Sequence, residues 1–205
     1  MIKNIIFDFD GVILDSVPTK TEAFRKLFAS YSQDQVEKLI IYHVENGGVS
    51  RYLKIKYFFE EILQQNISEE DVQNYAKKYS ELTKEELTNP KYIIEDVMNF
   101  IQLNYKKYNM HVASGADNQD LQYICTKLDL TKYFLSINGS PVKKNKIVSK
   151  ILSDNGYEKD ETILIGDSIN DFEAANVNGI MFYGYNNSKL KKLEHSKYLG
   201  NMNAF

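Results

Sequence analysis

Near its start the chain reads Asn4-Ile5-Ile6-Phe7-Asp8-Phe9-Asp10-Gly11, an apolar run that ends in two carboxylates. The apolar part predicts a buried strand over Asn4–Phe9. On an extended backbone, residues i and i+2 face the same way, so Asp8 and Asp10 can address one reacting group. Like charges at that spacing raise each other's pKa unless a cation or donors neutralise them. The alternative is a strand followed by an ordinary Asp/Gly turn.

The composition is that of a soluble globular protein with one domain, or one domain with an insert. Of its 205 residues, 43% are hydrophobic and 26% charged, which is ordinary for this class. The net charge of −3 argues against nucleic acid or an anionic membrane as the main partner. No apolar run approaches the roughly 20 residues of a membrane span, and residues 1–7 do not resemble a signal peptide.

The single cysteine, Cys125, excludes an internal disulfide and any multi-cysteine metal site. By default we expect a cytoplasmic protein. For the chain itself, we expect a monomer or a homodimer.

Apolar runs typical of strands recur along the chain, and helical segments separate the later ones. These runs are Asn4–Phe9, Met110–Ala113, Phe134–Ile137, Thr162–Ile165 and Ile180–Tyr183. Strands that alternate with helices predict an α/β fold, a Rossmann-like parallel sheet with helices on both faces. Ligands of such sheets bind outside the carboxyl ends of the strands. Because Asp8, Ser114 and Asp167 fall at predicted strand ends, we expect them to converge on one edge.

The segment between the first two strands is far longer than one crossover connection needs. Its apolar residues recur at helical spacing in three stripes, which include Phe24, Ile55 and Val72. We therefore predict a small all-helical domain over residues 16–88. It is inserted after the first strand of an α/β core formed by residues 1–15 and 89–205.

Four motifs, in order, resemble those of the haloacid dehalogenase-like (HAD) superfamily. They are Asp8-Phe9-Asp10-Gly11, then Val112-Ala113-Ser114-Gly115, then Lys143-Lys144 ahead of a helix, and finally Ile165-Gly166-Asp167-Ser168-Ile169-Asn170-Asp171. The helical insert resembles the α-helical (C1) cap of the phosphatase and β-phosphoglucomutase-like branch. The resemblance covers the whole chain.

The resemblance implies a Mg²⁺-dependent phosphatase that hydrolyses a small phosphorylated metabolite, such as a sugar phosphate, through an aspartyl-phosphate. That metabolite is the partner we expect. Asp8 would be the nucleophile, and Asp10 would protonate the leaving alcohol and then deprotonate the attacking water. Asp8, Asp167 and the backbone carbonyl of Asp10 would ligate the metal. Asp171 would hold the metal's water shell or Lys144. For Asp167 and Asp171, the alternative is an Asp-Ser helix cap with a carboxylate in the first turn.

The phosphoryl group would be held by Ser114, the Gly115 amide and Lys144. Ser114 could instead lie at the start of the next helix, with Asp117 or Asn118 as its cap. Lys144 best matches the family's distance to the following helix, although Lys143 and Lys146 are its neighbours.

In the cap, Gly47-Gly48-Val49-Ser50-Arg51 resembles the loop that faces the active site in α-capped members. Ser50 and Arg51 are therefore candidate substrate residues, with Arg51 gripping a distal group. The alternative is a turn in which Ser50 caps the next helix and Arg51 lies in solvent. Lys20 occupies the place of a histidine in β-phosphoglucomutase-like members, and we expect it to be solvated.

The three histidines lie outside every motif, and we expect them to be structural or exposed rather than catalytic. They are His43, His111 and His195.

Other functions remain open. Within the superfamily these are a phosphomutase, against which Lys20 argues, and a phosphonate hydrolase, which would need Lys20 or Lys54 for a Schiff base. A dehalogenase is disfavoured because that branch lacks the second acid, whereas Asp10 is present. Outside the superfamily, a signalling receiver domain places its aspartate on a later strand, and an inactive binding module would not need every motif carboxylate.

Overall fold

A six-stranded sheet forms the centre of the molecule, and the computed structural model describes all residues, 1–205. The strands are β1 (Asn4–Phe7), β2 (Asn109–Asp117), β3 (Ser136–Ser140), β4 (Thr162–Gly166), β5 (Met181–Tyr185) and β6 (Ser196–Leu199). Their order in the sheet is β3-β2-β1-β4-β5-β6, and every neighbouring pair is parallel. The predicted α/β, Rossmann-like fold is therefore confirmed.

Eight α-helices accompany the sheet. They are α1 (Val17–Leu27), α2 (Gln33–Glu45), α3 (Arg51–Tyr57), α4 (Glu69–Thr83), α5 (Glu95–Asn104), α6 (Asn118–Lys127), α7 (Lys144–Asn155) and α8 (Ile169–Asn178). A π-helical turn, Phe58–Ile62, continues α3. Short 3₁₀ helices span Glu86–Thr88, Pro90–Tyr92, Thr131–Tyr133, Lys159–Glu161, Ser188–Lys192 and Met202–Ala204. None of the helices is both long and apolar enough to cross a lipid bilayer.

Both faces of the sheet are covered by helices, because alternate strand residues point to opposite sides. Ile5 and Phe7 pack in a core cluster with buried residues of α5 and α6. Ile6, between them in sequence, packs in a second cluster with buried residues of α7 and α8. Strands buried on both faces explain the nearly continuous apolar runs of the sequence.

Helices α1–α4, which we call the cap, have a core of their own. Its buried residues include Phe24, Phe28, Leu39, Ile55, Phe58, Val72 and Tyr79, drawn from the predicted apolar stripes and from α2. No strand occurs between residues 16 and 88, in agreement with the expected helical insert. The division into separate domains at those residues stays a prediction.

The strand ends differ from those predicted. β1 stops at Phe7 rather than Phe9, because the chain turns there: the backbone amides of Ile13 and Leu14 donate to the Phe9 carbonyl. Gly11 in this turn has a φ of +76°, a conformation that glycine adopts without strain. The sixth strand, β6, was not predicted, since its four residues lie at the sheet edge and give only a short alternating pattern.

Candidate active site

The predicted site residues meet at the carboxyl edge of the sheet. Asp8 follows β1, Asp167 follows β4 and Asp171 lies in the first turn of α8. One carboxylate oxygen from each lies within 4.8 Å of the others. Gly11 makes this approach possible, since a Cβ there would collide with the Asp167 carboxylate.

The Asp8 carboxylate is almost fully buried and has a fixed orientation. Its Oδ1 accepts a hydrogen bond from the Phe9 amide at 2.7 Å and lies 2.9 Å from Nζ of Lys144. Both contacts use Oδ1, so Oδ2 is left for a ligand. Burial, and then the charge of Asp171, hold the pKa of Asp8 well above its usual range, although Lys144 acts to lower it.

The acidic cluster has the properties of a divalent metal site. Burial, with the charge of Asp171, raises the pKa of Asp167 to about 7. A divalent cation would relieve this repulsion, and three carboxylates are the oxygen donors that Mg²⁺ prefers. Both oxygens of Asp171 have partners, since Oδ1 contacts Lys144 and Oδ2 accepts from Ser168. Asp8 and Asp167 therefore fit a direct ligand role better than Asp171 does.

Lys144 is the lysine that reaches the site. It lies at the start of α7, is 7% exposed, and bridges Asp8 and Asp171. Burial lowers the pKa of Lys144, but the two carboxylates outweigh that effect and raise it above its usual value. Lys143 occupies the N-cap position of α7, and both it and Lys146 are exposed.

Two side chains bind the carboxylate of Asp10. Ser16 Oγ donates to Oδ1 at 2.5 Å, and Nζ of Lys20 donates to Oδ2 at 2.5 Å. Lys20 was expected in solvent, yet its side chain is only 13% exposed. Burial raises the pKa of Asp10, but Lys20 and Ser16 outweigh it, and the net shift is downward.

Ser114 and Gly115 lie near the carboxyl end of β2. Ser114 is fully buried, and its Oγ accepts from the Ala116 amide at 3.0 Å. The N-cap of α6 is Asp117, which accepts from the amides of Gln119 and Asp120. Gly115 lines the cleft beneath the cap and lies against the Gly48 carbonyl, which a side chain at that position would displace.

The cap covers a cleft of about 530 Å³, which Asp10, Asp167 and Gly115 line from the core side. Arg51 lines it from the cap, but its guanidinium is already paired: Nη2 lies 2.7 Å from Asp120 on α6, and Nη1 lies 2.5 Å from Ser80. The alternative in which Arg51 lies in solvent is therefore wrong. Ser50 caps α3, accepting from the Leu53 amide at 3.5 Å.

Two further cleft residues lie outside the four motifs, and only one of them, Lys54, was named from the sequence, as a lysine that a phosphonate hydrolase would need. His43 on α2 and Lys54 on α3 both line the cleft, with Nδ1 of His43 lying 2.9 Å from Nζ of Lys54. Neither residue belongs to the predicted apolar stripes, so no signal in the sequence would place them together. His111 is buried between Ser136 and Tyr157, and His195 is exposed, as expected.

The family model of haloacid dehalogenase-like hydrolases matches residues 5–185 of the chain. The protein belongs to this family. It is an enzyme of the HAD-like hydrolase class, and the resemblance inferred from the four motifs is confirmed.

Curated relatives of this HAD-like hydrolase are similar over most of their length. A phosphorylated carbohydrates phosphatase of Thermotoga maritima is 26% identical over 189 residues, which is 86% of this chain and 81% of the relative. A phosphoglycolate phosphatase of Aliivibrio fischeri is 24% identical over 202 residues, covering 92% and 87% respectively.

Solved structures share the fold of this HAD-like hydrolase. A β-phosphoglucomutase of Clostridium difficile superposes with a TM-score of 0.79 at 18% identity, covering 100% of this chain and 93% of that one. A haloacid dehalogenase-like hydrolase of Bacteroides fragilis gives 0.74 at 13% identity, with complete coverage of both chains. At these low identities, the similarity shows only that the fold is shared.

Proposed function

We propose that the protein is a Mg²⁺-dependent phosphatase that hydrolyses a small phosphomonoester through an aspartyl-phosphate. The observation that carries this proposal is the meeting of Asp8, Asp167 and Lys144 at one sheet edge, with Asp10 beside them. When bound, Mg²⁺ would be held by Asp8, Asp167 and the Asp10 carbonyl, with Asp171 behind them, and would supply positive charge next to the phosphoryl oxygens.

In the first step, Asp8 attacks phosphorus as the bond to the ester oxygen breaks. Lys144 fixes the Asp8 carboxylate through Oδ1, so Oδ2 is the attacking oxygen. Asp10 gives a proton to the departing alcohol. Ser114 Oγ and the Gly115 amide donate to the phosphoryl oxygens during transfer.

In the second step, water attacks phosphorus, the acyl phosphate bond breaks, and Asp8 is restored as a carboxylate. Asp10 takes the proton from that water, a task for which its ionised form is required. The contacts of Lys20 and Ser16 favour this ionised form. They therefore favour the second step, whereas the first step uses the protonated form of Asp10, which these contacts disfavour.

A small metabolite, such as a sugar phosphate, is the substrate class we infer. The cleft of about 530 Å³ under the cap matches a small molecule. The names of the curated relatives, a phosphorylated carbohydrates phosphatase and a phosphoglycolate phosphatase, point the same way. One observation argues against the phosphomutase alternative. Lys20 occupies the position at which β-phosphoglucomutase-like members carry a histidine, and its side chain is bound to Asp10.

The test is phosphate release from a panel of sugar phosphates, nucleotides, polyol phosphates and phosphoglycolate, with and without Mg²⁺. We expect Asp8→Asn to abolish turnover. Asp34→Asn, an exposed carboxylate of the cap, is the matched control and should retain it. Unchanged turnover in Asp8→Asn would refute the nucleophile assignment, and conversion of a hexose 1-phosphate to its 6-phosphate without free phosphate would favour the mutase.

A further inference from the structure

Two consecutive asparagines, Asn186 and Asn187, connect the segment after β5 to the candidate active site. Nδ2 of Asn187 donates to the backbone carbonyl of Asp167 at 2.8 Å. Nδ2 of Asn186 donates to the backbone carbonyl of Gly11 at 3.0 Å. Both asparagines also line the cleft beneath the cap. Neither residue belongs to the four motifs, so their contacts require an explanation.

The two carbonyls belong to the loops that carry the proposed metal ligands. Asp167 supplies a carboxylate, and Gly11 directly follows Asp10, whose carbonyl is the proposed backbone ligand. These loops follow β4 and β1, which are neighbours in the sheet. They also touch each other, because a Cβ on Gly11 would collide with Oδ2 of Asp167. The asparagines therefore hold both halves of the metal site from a third loop, the one after β5.

The backbone conformation of Asn186 allows both side chains to reach the site. Its φ is +54°, in the left-handed region that asparagine enters more readily than most residues other than glycine. On a regular strand, consecutive side chains point to opposite faces. A left-handed residue at the end of β5 interrupts that alternation, so two neighbouring side chains contact loops at the same edge of the sheet.

The amide of Asn187 has two contacts that can be separated by substitution. Its Oδ1 accepts from the Lys189 amide at 3.1 Å and caps the 3₁₀ helix Ser188–Lys192. Its Nδ2 donates to the Asp167 carbonyl. Serine is as good a helix cap as asparagine, but its side chain is too short to place a donor where Nδ2 lies. A serine at this position would therefore retain the cap and lose the contact with Asp167.

We propose that Asn187, assisted by Asn186, is a positioning residue for the metal site. The proposal rests on the proposed function, in which Asp8, Asp167 and the Asp10 carbonyl hold Mg²⁺. Ligands that are already oriented lose less conformational freedom when the ion binds. For this reason, loss of a group behind a metal ligand typically weakens metal binding by about tenfold to a hundredfold. The asparagines act through the two loops that they hold rather than through the substrate.

Calorimetric titration with Mg²⁺, without any substrate, tests the proposal. Asn187→Ser introduces no charge, and we expect it to raise the Kd for Mg²⁺ by about tenfold. Asn201→Ser is the matched control, because Asn201 also caps a 3₁₀ helix and accepts from the Asn203 amide at 3.0 Å. Its Kd should stay within about twofold of the wild-type value.

A second pair of variants tests Asn186. Asn186→Gly retains the left-handed backbone without strain and removes only the amide. Because Asn186 is exposed, we expect a smaller rise in the Kd for Mg²⁺, of about threefold. His195→Gly is the control, since His195 is also exposed and has a φ of +59°.

The dependence of turnover on Mg²⁺ separates positioning from substrate contact. In Asn187→Ser, the Mg²⁺ concentration that gives half-maximal activity should rise by the same factor as the Kd. At saturating Mg²⁺, kcat and the KM for the ester should remain close to their wild-type values, because the site is then filled. A raised KM with an unchanged Mg²⁺ dependence would overturn the proposal and make Asn187 a substrate contact.

Metal binding also separates this proposal from the proposed function. Weaker Mg²⁺ binding in Asn187→Ser would support the positioning role even if no ester were hydrolysed. Equal Kd values in Asn187→Ser and the wild type would overturn it while the phosphatase stands. A wild type that binds no Mg²⁺ would overturn both. Melting temperatures in chelator check that each variant is folded, and if Asn187→Ser is not, the comparison of Asn186→Gly with His195→Gly decides.

Discussion

Nζ of Lys20, on the first cap helix, lies 2.5 Å from Oδ2 of Asp10, in the core. The other oxygen of Asp10 accepts from Ser16 at 2.5 Å, so the carboxylate is fixed at both ends. The side chains are 13% and 17% exposed, so solvent screens this ion pair only partly. The pair thus connects the cap directly to the proposed proton-transfer residue.

Lys20→Met should slow the second half of the reaction. Without its partner, Asp10 is less well positioned and less readily ionised, so proton removal from water becomes less effective. We expect kcat to fall by roughly tenfold to a hundredfold, with the aspartyl-phosphate accumulating as a burst in rapid-quench measurements. Lys26→Met, an exposed lysine of the same helix, is the control. A higher KM with unchanged kcat would instead make Lys20 a substrate contact.

Mg²⁺ should stabilise the protein through the acidic cluster. A ligand that binds only the folded state adds about 1.4 kcal/mol at roughly ten times its Kd and about 2.7 kcal/mol at a hundred times. The melting temperature should therefore rise with Mg²⁺ and return to its starting value with chelator. Asp167→Asn should abolish the rise, whereas Asp154→Asn, on the exposed end of α7, should retain it. The same rise in both variants would place the cation elsewhere.

The motif residues could be predicted because their geometry is local. Asp8 and Asp10 are two positions apart at the end of a buried strand, and Asp167 follows another such strand. In a parallel sheet, strand ends of this kind meet at one edge. Lys144 was chosen over Lys143 and Lys146 because its distance to the following helix resembles that of the family's lysine motif.

The partners of the cap residues could not be predicted, since they lie far apart in sequence. Arg51 pairs with Asp120, 69 positions away on a core helix, and no local pattern encodes that contact. The pairing of Lys54 with His43 depends on how α2 and α3 cross, which the apolar stripes alone leave open. We expected Lys20 to lie in solvent, because helical periodicity does not show which polar residues of the cap the core covers.

The ion pair of Arg51 and Asp120 should stabilise the closed arrangement of cap and core. The side chains are 6% and 10% exposed, and loss of one partner leaves a buried charge, at a cost of about 3–5 kcal/mol. Arg51→Met and Asp120→Leu should each lower the free energy of unfolding by about this amount, as measured by urea titration. The double variant should recover much of the loss, because neither charge is then left unpaired. If Arg51 contacted only the substrate, Arg51→Met would instead raise KM, and Asp120→Leu would leave the kinetics unchanged.

Lys54→Met should make the protein more stable near neutral pH. The pKa of Lys54 is lowered from 10.5 to about 7 in the folded protein, chiefly by burial. Between these values the unfolded chain binds the proton and the folded chain does not, so wild-type stability should rise with pH across that window. The penalty is fully present below pH 7, where it amounts to roughly 5 kcal/mol.

The variant removes that penalty, so its advantage over the wild type should be largest at pH 7 and should shrink toward pH 10. Chemical denaturation at several pH values measures the difference directly. Lys56→Met gives the matched comparison, since Lys56 is not buried and pairs with Glu69 at the surface. An advantage that stays constant over the whole range would mean that the Lys54→Met variant gains only from apolar packing.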